Sequence, residues 1–196
     1  MKNITSKLSF LLAGILLSSF NGAKANDFTV VMGPTALAFN PSTLTINQGD
    51  TITWTNAAAF VTHTTTSGIV ITNVEHPDSL WNNTNPHNTT FTVNFTGYAP
   101  KTYPYFCVFH ATLGMVGFVT VNGTVQPPTL ANSAFGNSQF QLSINGLIGQ
   151  TNVIETSPDL FSWSPVSTNM ALSSSFNVTN LPAAGDLGFY RVRLVP

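Results

Sequence analysis

The residues with the most chemistry to offer lie close together in the run Tyr103-Pro-Tyr-Phe-Cys107-Val-Phe-His110-Ala-Thr-Leu-Gly-Met115-Val-Gly117. A thiol is followed three residues later by an imidazole and five residues after that by a thioether. Upstream, the strand-like Thr53-Trp54-Thr55-Asn56 leads to a second imidazole, His63. Two imidazoles, a thiolate and a weak thioether make up the ligand set of a mononuclear blue-copper electron-transfer site. Soft thiolate sulfur suits Cu(I) and bonds covalently to Cu(II), imidazole serves both states, and a distant Met tunes the potential. Taken singly, each residue has a plainer reading. His63 would be a hydrogen-bonded strand histidine, Cys107 a buried inert thiol and Met115 core filling. Their joint order is what points to a metal.

Cys107 is the only cysteine in the 196 residues. It cannot close an internal disulfide, which leaves an intermolecular partner, a reactive thiol or a sulfur protected by a metal. Residues 1–25 read as a secretory signal peptide: Lys2 and Lys7, an apolar run from Leu8 to Phe20 too short to span a bilayer, and a small-x-small site at Ala23-Lys24-Ala25. Export to the periplasm or the extracellular space follows, with no stable membrane insertion after cleavage. Cleavage removes three lysines and leaves three basic and seven acidic residues, a net charge of −4. Only 7% of the whole chain is charged, against roughly 25% in an average soluble domain. No Lys/Arg stripe is available to neutralise phosphates, so a nucleic-acid partner is excluded. The composition is also wrong for a helical bundle.

The elements that must hold these residues are strands. Phe28-Thr-Val-Val, Ser42-Thr-Leu-Thr-Ile, Thr51-Ile-Thr-Trp-Thr, Thr90-Phe-Thr-Val-Asn-Phe and Gly117-Phe-Val-Thr-Val alternate apolar and polar residues between Gly, Pro, Asn and Asp. The pattern predicts an all-β sandwich or barrel over residues 26–123. Gly123, Pro127 and Pro128 mark a linker at 124–131. A small β domain at 132–196 follows, with strands expected at Gln139–Ile144, Asn152–Thr156, Trp163–Ser167, Ser174–Val178 and Phe189–Leu194. Arg191 and Arg193 share one strand face there and are expected to pair with Glu155 or Asp159. His76 and His87 fall in a polar Asn/Thr-rich stretch and read as surface loop residues. The Asn-x-Ser/Thr triplets at Asn82, Asn88, Asn94, Asn122 and Asn177 arise easily by chance in such a sequence.

Residues 30–122 resemble the cupredoxin family, nearest its plastocyanin- and pseudoazurin-like branch. The matching pattern is Phe39-x-Pro41-x-x-Leu44-Thr-Ile46-x-x-Gly49-Asp50-Thr51-Ile-Thr-Trp54-Thr-Asn56, then His63, then Cys107-x-x-His110-x-x-x-x-Met115-x-Gly117. The resemblance implies a Greek-key β-sandwich and one copper ion, Cu(I)/Cu(II), held by His63, Cys107, His110 and Met115. It also implies a monomeric electron carrier whose redox partners dock near His110, ringed by Ala111, Leu113, Gly114 and Pro41. The tail resembles fibronectin III-like modules of bacterial secreted proteins, which implies no chemistry. Two positions depart from the usual plastocyanin pattern. Thr64 stands where Asn is common, leaving open whether its side chain braces the ligand loops. Phe109 stands where Pro is common and brings an N–H that proline lacks. That N–H is expected to point at the Cys107 sulfur and raise the potential.

Electron transfer competes with three other functions. Copper capture or delivery outside the cytoplasm is the alternative the same ligands allow. A multicopper oxidase would need His-x-His pairs, and a binuclear copper centre a second cysteine; neither occurs. No catalytic residues are therefore expected. A purely adhesive protein with a vestigial site is disfavoured by the presence of all four ligand types.

Overall fold

The computed structural model describes residues 25–33, 36–136, 139–181 and 188–195. The leader read at 1–25 lies, but for Ala25, outside the described residues. Fifteen strands and one short 3₁₀ turn account for the regular structure among the described residues.

The first part is a sandwich of two sheets. One sheet joins β1 (Asp27–Met32), β2 (Phe39–Asn40), β4 (Thr51–Asn56) and β7 (Thr90–Asn94) in the order β2-β1-β4-β7. The other joins β3 (Thr43–Asn47), β5 (His63–Ile71), β6 (Val74–Asn85), β8 (Thr102–Phe106) and β9 (Val116–Asn122) in the order β3-β9-β8-β5-β6. The pairs β1/β4 and β3/β9 are parallel and the other pairs antiparallel. Sequence alternation becomes burial alternation: in β4, Ile52, Trp54 and Asn56 point inward while Thr51, Thr53 and Thr55 lie toward the surface. Between the sheets Trp54, Trp81, Phe95, Tyr98, Tyr103 and Tyr105 form one buried aromatic cluster.

Two assignments change. The stretch read as a polar loop around His76 is most of the twelve-residue edge strand β6. Its apolar pattern is broken by Pro77, by a register shift between Thr66 and Gly68, and by Ser79 at φ +66°. His76 is thus an exposed strand residue, whereas His87 remains in a loop. In the tail, β10 (Thr129–Gly136) begins inside the segment read as linker.

The tail holds two three-stranded sheets. β10, β11 (Gln139–Asn145) and β14 (Ser175–Leu181) form one, while β12 (Thr151–Ser157), β13 (Ser164–Met170) and β15 (Phe189–Leu194) form the other. They enclose Leu142, Ile144, Ile154, Val178 and Leu181. Both Arg191 and Arg193 pair with Glu155, at 2.6 and 2.8 Å, and not with Asp159. Asp159 caps its own loop instead, accepting the N–H groups of Phe161 and Ser162.

The tail docks on the sandwich through backbone. Ile148 N–H donates to Gly97 O at 2.7 Å and Ala99 N–H to Ile148 O at 2.9 Å. The Tyr103 hydroxyl reaches Ala99 O at 2.7 Å and Ile148 O at 3.0 Å, and Lys101 Nζ donates to Gly149 O at 2.6 Å. Ile148 itself packs against the sandwich core. These contacts gather just before β8 and at its start, whereas Cys107 lies just after its end. A five-residue strand at about 3.3 Å per residue separates the docking end from the cysteine end.

Candidate metal centre

Cys107 follows β8 and Met115 precedes β9, so the residues between them form the loop joining two adjacent antiparallel strands. Cys107 N–H donates to Met115 O and Met115 N–H to His110 O, both at 3.1 Å. His110 N–H closes a turn onto Cys107 O at 3.0 Å. Leu113 N–H bonds His110 O, and Gly114 at φ +88° ends the 3₁₀ turn Ala111–Leu113 in the left-handed conformation that favours glycine. The loop is therefore held by its own backbone. His63 is delivered separately, as the first residue of β5, two strand positions from the Thr65 hydroxyl that bonds Met32 Sδ.

The two imidazoles meet the sulfur. Cys107 Sγ lies 3.7 Å from His63 Nδ1 and 3.3 Å from His110 Nδ1. One ligand atom from each of the three residues lies within 4.8 Å of the other two. His63, Cys107 and Met115 are fully buried and His110 is partly exposed. Met115 lies near His63. Burial, and after it the electrostatic effect of the nearby His110, lowers the His63 pKa from its usual value, which favours the neutral imidazole that can ligate. Its Nε2 is buried without a hydrogen-bond partner among the described residues. Gly33, at φ +63°, packs beside it: a Cβ there would come within 2.7 Å of Ala58 Cβ and 3.3 Å of His63 Nε2.

The donor set fits copper. A buried free thiol faces two imidazole Nδ1 atoms, with no carboxylate in the group. That soft and borderline set suits copper and does not suit Mg²⁺ or Ca²⁺. All four residues singled out in the sequence thus occupy the same end of the sandwich.

Thr64 holds the two ligand segments together. Its N–H donates to Cys107 Sγ at 3.2 Å, and its Oγ1 accepts the Val108 N–H at 2.7 Å. The brace that the sequence leaves open is present. The expected donor from Phe109 is not: the amide that bonds the sulfur belongs to Thr64, because β5 runs directly beside the cysteine loop. Phe109 is instead an exposed side chain beside His110, as is Leu113, whereas Ala111 is buried and contributes nothing to the rim. No Asp, Glu, Lys or Arg occurs in residues 51–74 or 102–123, so this end carries no formal charge.

Comparison with known proteins agrees with this geometry. The sequence pattern of the family described as copper binding proteins, plastocyanin/azurin family, matches residues 26–122. A plastocyanin from Scenedesmus fuscus is 35% identical over 102 residues, covering 48% of this chain and 99% of the relative. A plastocyanin from Synechococcus sp. is 29% identical over 136 residues, covering 62% of this chain and 96% of the relative. Among solved structures, a purple cupredoxin from Nitrosopumilus maritimus is 28% identical over 48% of this chain and 98% of that chain, with a TM-score of 0.36. The chain belongs to the plastocyanin/azurin family of copper binding proteins. Its cofactor is one copper ion, for which His63, Cys107 and His110 form the candidate site. Plastocyanin-like members of this family are electron carriers rather than enzymes. Among the described residues no helix is long and apolar enough to cross a membrane.

Proposed function

We propose that this chain is a one-electron carrier working outside the cytoplasm. His63 Nδ1, Cys107 Sγ and His110 Nδ1 would hold the copper, and Met115 would add a weak thioether contact. The observation that carries the reading is the convergence of both Nδ1 atoms on one buried thiol. Copper, when bound, supplies a Cu(II)/Cu(I) couple. The chain contributes a fixed cage. The ligand loop is pinned by its own backbone bonds and by Thr64, so the ligands move little between oxidation states. The Thr64 N–H stabilises negative charge on the sulfur and favours the reduced site.

His110 is the electron port, because it is the partly exposed ligand. Its rim includes Phe109, 57% exposed, and Leu113, 67% exposed. A small uncharged rim suits brief docking to a redox protein and little electrostatic steering. Residues 26–123 act as the carrier, and 132–196 as a structural mount fixed to the end away from His110 through Ile148. Voltammetry of the copper-loaded chain tests the reading. A reversible one-electron wave with fast self-exchange supports the carrier, whereas irreversible loss of copper to an apo-acceptor supports delivery.

A further inference from the structure

Asp50 lies between β3 and β4 and is 2% exposed. A buried carboxylate is costly without a counter-charge. The described lysine and arginines do not supply one: Lys101 Nζ is on Gly149 O, and Arg191 and Arg193 are on Glu155. Two backbone amides stand in. Asn47 N–H donates to Asp50 Oδ2 and Asn26 N–H to Asp50 Oδ1, each at 2.7 Å. The Asn26 side chain adds a longer contact to Oδ1, at 3.4 Å. Asn26 directly follows Ala25, the last residue of the segment that reads as a leader, and both are exposed. Asn26 is also held from its other side. Its carbonyl accepts the Thr51 N–H at 2.9 Å, and β1 beyond it pairs in parallel with β4.

We propose that cleavage of the Ala25–Asn26 peptide bond gives Asp50 its counter-charge and so locks β1 into the sandwich. The step is a hydrolysis by a leader-removing peptidase. Water gives its oxygen and one hydrogen to Ala25 as a carboxylic acid and its other hydrogen to Asn26 N; at neutral pH the acid gives up a proton and the amine takes one. The nitrogen that gave Asp50 an amide hydrogen becomes an ammonium group 2.7 Å from Oδ1, within the range of a charge-assisted N⁺–H···O⁻ bond. The strand it fastens leads at its far end to Gly33, which packs beside His63 Nε2. A chain that keeps its leader lacks this charge, so the lock forms only on maturation. The proposal rests on the reading of the chain as exported and of residues 1–25 as its leader.

Mass spectrometry of the full chain after export from a bacterial host reads the new terminus, expected at Asn26. Residues 26–196 are then compared with a free amine on Asn26, with that amine acetylated, and with Ala25 retained. Acetylation keeps an N–H but removes the charge, and Ala25 moves the charge one residue away. In urea unfolding at about pH 7, where the amine is charged, the free-amine form has an unfolding constant about fivefold to thirtyfold smaller than either other form, as replacing a neutral hydrogen bond by a charged one implies. In Asp50→Asn the three forms unfold alike. Equal stability of the free and acetylated forms overturns the lock whether or not Asp50→Asn folds, and a difference that persists in Asp50→Asn overturns the role of Asp50. An exported chain that keeps residues 1–25 or starts elsewhere overturns the leader reading instead.

Discussion

Gly117→Ala places a methyl group where the fold leaves no room for one. Gly117 on β9 faces Tyr105 on β8 in register. A Cβ built on Gly117 would lie 2.5 Å from the Tyr105 phenolic oxygen and 2.7 Å from Cε1, distances that real side chains do not tolerate. The ring has little room to yield. Tyr105 is 1% exposed, with ring centroids of Phe39 at 4.6 Å and Trp54 at 5.4 Å. Either the ring or one strand must shift, and overpacking of this kind costs about 1–3 kcal/mol. For a chain of this size each kcal/mol moves Tm by about 2–4 °C, so a fall of about 2–12 °C is expected. The strain falls on both arms of the ligand loop, two residues before Cys107 and two after Met115. Copper binding and the charge-transfer spectrum should therefore change with stability. Thermal and urea unfolding of the copper-free and copper-loaded chain provide the assay. A variant within about 0.5 kcal/mol of wild type, the range of an ordinary surface change, would refute the packing argument.

Thr64→Val leaves the Val108 amide without its acceptor and should destabilise the fold by about 1–3 kcal/mol while speeding copper loss, measured by urea unfolding and by chelator competition. Tyr103→Phe keeps the ring in the core but removes the hydroxyl shared by Ala99 O and Ile148 O. A loss of about 0.5–1.5 kcal/mol in urea unfolding is expected, with the copper spectrum unchanged. Burial pushes the Tyr105 pKa up to about 12 and raises that of Tyr103 from its ordinary value of 10.0. Folding thus favours the neutral phenols. Their contribution is complete below pH 10 and is lost as pH climbs through 10 toward 12, which an alkaline unfolding series with tyrosinate absorbance will follow. Association with a redox partner should depend only weakly on ionic strength, since the His110 rim has no formal charge; stopped-flow rates at low and high salt check this.

Much of the sandwich was legible because its strands are half-buried, and half-burial writes itself as alternation. β4 reads Thr-Ile-Thr-Trp-Thr-Asn and folds accordingly. The ligands were legible because a lone cysteine, two histidines and a methionine, each at a loop or strand end, together make the donor set of one kind of metal site. β6 was not legible: an edge strand carrying Pro77, a bulge and a run of Asn and Thr has neither alternation nor β-branched weight. β10 was hidden by Pro127-Pro128 just before it and by its own small polar residues. The sulfur's hydrogen-bond donor depended on a backbone direction that no residue type specifies, which is why Thr64 N–H and not Phe109 N–H fills the role. The docking of Ile148 on Gly97 and Ala99 is likewise a backbone pairing without a sequence pattern.

The most direct test of the central claim is the visible spectrum of the chain titrated with Cu(II), compared with that of Cys107→Ala. A mononuclear copper centre with Cys107 as its thiolate ligand predicts one equivalent of copper and an intense blue charge-transfer band that disappears in the variant. A chain that stays colourless with copper, or a band that survives loss of Cys107, would contradict the account.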